Sequence, residues 1–72
     1  MDPTDLALIN RMVPTHDGLR HLVAKHKQFE TQLAELEAIR YPSEGELRQI
    51  GEIKRLKLRG KERISRILTQ AR

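Results

Sequence analysis

Arg40-Tyr41-Pro42-Ser43-Glu44-Gly45-Glu46, residues 40–46, divides the chain into two long helix-forming runs. Pro42 disfavours helical backbone at the residue before it, so a helix arriving from the N-terminal side ends at Arg40 or Tyr41. Ser43-Glu44-Gly45-Glu46 has the pattern of a capping box: the Ser43 hydroxyl can accept from the Glu46 amide while the Glu46 carboxylate reaches back to the Ser43 amide. A stop and a start thus stand only a few residues apart, with residues 41–43 as the turn. So short a connection makes the two helices it joins adjacent and antiparallel.

Upstream of the break, Leu19, Leu22, His26, Phe29, Leu33 and Leu36 recur at steps of three and four, an apolar seam over nearly three heptads with polar flanks. Thr15 stands where an N-cap is needed and Asp17 near the positive end, giving a helix over about 16–40. Downstream, Ile53, Leu56, Gly60, Ile64 and Ile67 share one arc of a helix over about 44–71. At ~1.5 Å per residue these helices extend about 35–42 Å each. Before them, Asp2-Pro3-Thr4-Asp5 has a capping residue, a proline suited to the first helical position and an acid in the first turn. Leu6, Ile9 and Val13 follow at helical spacing until Pro14, so residues 1–14 read as a separate segment with a short, frayed helix over roughly 3–12. The predicted fold class is all-α: an antiparallel, coiled-coil-like two-helix hairpin over 15–72, preceded by that segment.

Composition agrees. With no Trp, one Phe and one Tyr in 72 residues, a β-sandwich or barrel core is not expected. No cysteine is present, so neither a disulfide nor a thiolate zinc site reinforces a chain near the lower limit for a stable single core. Good helix packing or oligomerisation must take that role. No apolar run approaches the ~20 residues that span a bilayer, and Met1–Asp5 has neither the basic nor the apolar region of a signal peptide, so a cytoplasmic protein is expected. The net charge of +4 is unevenly placed. Residues 1–40 hold five Lys/Arg against six Asp/Glu, whereas residues 41–72 hold nine against four. Such a bias suits an acidic partner or nucleic acid, and equally a solubilising face.

Two further surfaces of the second helix are candidates for binding. Leu47 and Leu58 fall outside the seam arc, Ile50 and Leu68 at its margin, and Lys54, Lys57 and Lys61 lie among them. This mixed edge would stay wet in a monomer and be covered in a dimer or bundle. Arg48, Arg55, Arg59 and Arg66 fall within about 40° of one another, a stripe able to contact phosphates. Glu44–Arg48, Arg48–Glu52, Glu52–Arg55 and Glu62–Arg66 are spaced at three or four residues, so the same stripe also reads as a salt-bridged solvated face. No motif of a known nucleic-acid module accompanies it, and no aromatic is expected on the basic face for base stacking.

Catalytic chemistry has no foothold. His16, His21 and His26 are five apart, which sets successive rings about 140° from each other on a helix and prevents convergence on one metal ion. His26 lies on the seam with Glu30 one turn later, the arrangement of a polar residue that sets register. Ser43 is used as a cap, and Gly18, Gly45, Gly51 and Gly60 form no phosphate loop. Glu35/Glu37 and Glu44/Glu46 sit on solvated surface, and two helices do not enclose a substrate cavity. No enzymatic activity, cofactor, metal, membrane or small-molecule substrate is expected.

Leu22-x3-His26-x2-Phe29-x3-Leu33-x2-Leu36, a proline-containing turn, and Ile53-Lys54-Arg55-Leu56-Lys57-Leu58-Arg59-Gly60-Lys61-Glu62-Arg63-Ile64 together resemble the YdcH-like family of small, mostly proteobacterial proteins. The resemblance covers about residues 19–68. Phe29 and Ile53 stand where leucine is usual in that family, and Gly60 where an apolar residue is common. It implies a helical hairpin in bacterial cytoplasm and no enzymatic activity. Residues and resemblance lead to the same expectation: a non-enzymatic interaction protein that self-associates or docks on a larger protein. The alternative is a nucleic-acid accessory acting through the arginine stripe.

Overall fold

The computed structural model describes residues 2–71, and 84% of the described residues are helical, in three helices with no strand among them. They are α1 (Pro3–Met12), α2 (Asp17–Glu37) and α3 (Glu44–Ala71). The start signals of α1 and α3 act as their residue types dictate. Asp2 caps α1, its Oδ1 accepting from the Asp5 amide at 2.8 Å, with Pro3 in the first turn. The Ser43 amide donates to Glu46 Oε1 at 2.8 Å and the Glu46 amide to Ser43 Oγ at 3.1 Å, a complete reciprocal box.

The ends of α2 differ from expectation. Its N-cap is His16, whose Nδ1 accepts from the Leu19 amide at 2.9 Å. Thr15 instead closes the turn after α1, its amide and hydroxyl both donating to the Met12 carbonyl. An imidazole nitrogen reaches the third amide of the helix as a short hydroxyl would, and it does so from one residue closer to the helix. At the other end α2 stops at Glu37, three residues before the expected Arg40. The Ala38 amide bonds Ala34 and Leu36 carbonyls and Ile39 bonds Leu36, a tightened last turn. No glycine follows Glu37 to offer a sharp left-handed stop, so the chain leaves α2 through this tightened turn. In the widened connector the Arg40 guanidinium lies 5.6 Å from the centre of the exposed Tyr41 ring.

The two long helices pack along one another, and α1 lies against α3. The core is small: Ile9, Leu19, Ile64 and Leu68 form one buried cluster, with Leu8, Met12, Val13, Leu22, Val23 and Ile67 around it. Leu33 and Ile53 are buried further toward the connector. Placing Ile9 in this cluster gives α1 a structural role. Its short span and the proline after it predict only a frayed helix, and packing against α3 is what holds it. Each apolar side chain so covered contributes on the order of 1.5–3 kcal/mol.

α1 also explains how α3 is turned. Burial on α3 runs through Ile53, Ile64 and Leu68, with Ile50 and Lys57 half-covered. That arc is rotated by about 40° from the expected one. Leu56, placed on the seam by its spacing, is 45% exposed, while Leu68, placed on the wet edge, is 2% exposed. With two helices to pack against, α3 buries more by directing Leu68 into the corner between them than by pressing Leu56 onto α2 alone.

Candidate interaction surfaces

The mixed edge survives in part. Leu47 and Leu58 are each 55% exposed, Ile50 is half-buried, and Leu68 leaves the edge for the core. Leu58 borders a shallow groove floored by His26 and Leu33 and flanked by Glu37 on α2 and by Lys54, Lys57 and Lys61 on α3. The Lys54 ammonium stands 4.0 Å from Glu37 Oε1, an exposed pair that contributes little to stability. On the same side, α1 adds the exposed Leu6 beside Val23, Lys27 and Glu30. This face therefore sets apolar spots beside three lysines of α3, with Glu37 the one α2 carboxylate lining the Leu58 groove.

Arg48, Arg55, Arg59 and Arg66 are all exposed. Ion pairs among the described residues join Arg20 to Asp17, His26 to Glu30 and Lys54 to Glu37. Among the described residues none of the four stripe arginines meets a carboxylate in an ion pair, although Glu44, Glu52 and Glu62 stand at suitable spacing.

The three histidines serve different ends. His16 caps α2, and His26 Nε2 meets Glu30 Oε1 at 2.9 Å. His21 lines a second groove between α2 and α3, across the helix pair from α1, together with Lys25, Phe29, Leu56, Arg59, Gly60 and Arg63. The structure thus brings an aromatic ring to a basic groove between the helices, a surface distinct from the arginine stripe although Arg59 borders both. Phe29 and Lys25 are one turn apart on α2, and Arg59 and Arg63 one turn apart on α3. Their common groove depends on the register between the helices, which no spacing within one helix reveals.

Gly60 sits in this groove, and a Cβ built there would meet nothing within 4 Å. It therefore provides open space at the surface and is not a point of close backbone approach. No helix among the described residues is long and apolar enough to cross a membrane. No family model matches the chain, and no curated protein or solved structure matches it.

Proposed function

We propose that the chain is a non-enzymatic cytoplasmic interaction protein, an antiparallel hairpin braced by α1, that pairs with a second copy of itself through the edge around Leu58. The antiparallel reading is supported by which residues meet: Leu19 with Ile64 and Leu68 at one end, Glu37 with Lys54 toward the other. Kinship with the YdcH-like family, proposed on the residues quoted above, fits the same outline. The observation that carries the reading is Leu58, more than half exposed in the middle of a long helix beside Lys54, Lys57 and Lys61 and across from Glu37. A second copy covers Leu58 and sets its own Glu37 against the lysines, whose stems lie along apolar surface while their ammonium groups stay in water. Sedimentation of wild type and Leu58→Glu at tens of micromolar tests it: the wild type is a dimer and the variant a monomer. A wild type that stays monomeric removes self-association and leaves a heterologous protein partner for the same edge.

One observation favours a second reading, nucleic-acid binding: four exposed arginines on α3 that meet no carboxylate in an ion pair among the described residues. Binding through phosphates weakens steeply as salt rises, whereas apolar association barely changes. A salt titration separates the two.

A further inference from the structure

The groove lined by His21, Lys25, Phe29, Arg59 and Arg63 gathers positive charge from two helices and is lined by no carboxylate. Arg59 and Arg63 are a like-charged pair one turn apart, an arrangement that disfavours an isolated helix. Lys25 faces them from α2 across the same depression. All three are exposed, and none makes an ion pair among the described residues. Among them lie the chain's one phenylalanine, half-buried, and the open space above Gly60, so that an aromatic ring and three cations line one depression of about 240 Å³.

We infer that this groove is a site for single-stranded nucleic acid, with phosphate oxygens at Lys25, Arg59 and Arg63 and a base against Phe29. The inference rests on the second reading above for its ligand class, but it moves the site from the outward stripe into the space between the helices. The aromatic ring selects the ligand. An acidic peptide would use the cations and leave Phe29 idle, whereas every base has a face that stacks. A duplex, with its bases already stacked and paired, can offer only phosphates. The cations are compact in extent: those on one helix lie about 6 Å apart along its axis. They engage about three phosphates and not a long backbone track, so an intermediate affinity with a shallow salt slope is expected.

Fluorescence anisotropy of the full chain with labelled oligothymidylate of about 15 nucleotides, longer than the groove needs, tests this over a salt series. Three cation contacts on a single strand give a slope of log affinity against log salt near −2, and Arg63→Gln or Arg59→Gln each reduces it by about 0.7. Phe29→Leu, which keeps an apolar side chain, lowers affinity about tenfold with the slope unchanged. Gly60→Glu sets a carboxylate in the open space and abolishes binding while circular dichroism stays that of the wild type. Arg48→Gln and Arg66→Gln, on the stripe outside the groove, weaken binding less than Arg63→Gln does and leave the effect of Phe29→Leu unchanged. If those two variants weaken binding as much as Arg63→Gln does, the stripe is the site and the groove assignment falls. If the matched duplex or poly-glutamate binds as tightly as the single strand, or Phe29→Leu has no effect, the base contact falls. If wild type binds no nucleic acid at low salt, the second reading itself falls with it.

Discussion

His26 Nε2 lies 2.9 Å from Glu30 Oε1, one turn along the same helix, while Nδ1 of the same ring is buried with no hydrogen-bond partner among the described residues. The seam thus contains half of a satisfied polar group. A buried donor or acceptor left unpaired costs about 1–3 kcal/mol, and the exposed half of the bond to Glu30 returns less than that. His26→Leu removes the orphaned atom and adds apolar contact with Leu33, so urea denaturation should show the variant at least as stable as wild type, by up to about 2 kcal/mol. A clear loss of stability would mean that the imidazole makes a contact the isolated chain does not show.

Leu68 and Leu47 make a paired test of how α3 is oriented. Leu68 packs with Ile9, Leu19 and Ile64, so Leu68→Ala should cost about 2–5 kcal/mol and release α1 along with it. Leu47 is 55% exposed, and Leu47→Ala should cost well under 1 kcal/mol in the same thermal melts. Equal losses at the two sites would place α3 in the rotation that its spacing alone suggested.

His16→Ala removes the side-chain acceptor from the Leu19 amide and should cost about 1 kcal/mol. The effect is local, so hydrogen exchange should accelerate at the first amides of α2 and little elsewhere. Thr15→Ala, which loses only an exposed bond to the Met12 carbonyl, should leave those amides unchanged. Acceleration on Thr15→Ala alone would return the cap to Thr15.

Gly60→Ala should raise stability, because alanine favours the helix by about 1 kcal/mol over glycine and the new methyl meets nothing within 4 Å. For a chain of this length that is about 4–8 °C in the thermal midpoint. A lowered midpoint would show that another surface presses against Gly60 in solution.

Local chemistry was legible from the residues. Asp2-Pro3 and the Ser43–Glu46 box act within one turn of themselves, so their effect does not depend on distant packing, and α1 and α3 begin where these residues place them. The heptad steps from Leu19 to Leu36 likewise imposed a helix with one apolar side, because 3.6 residues per turn leaves those side chains no other common face. What the spacing left open was rotation. An apolar arc from Leu56 through Ile53 to Leu68 is wider than one neighbouring helix can cover, and periodicity cannot say which margin stays wet. The arrival of α1 decided it: Ile9 fills the corner beside Ile64, so Leu68 is buried and Leu56 is not. The same holds for the groove. Lys25 and Phe29 are far in sequence from Arg59 and Arg63, and only the register in which α2 lies on α3 sets them around one depression. Turns, caps and periodicity are energies of neighbours along the chain, and the sequence determined them. Which face is covered and which charges meet are energies of neighbours in space, and only the packing of three helices decided those.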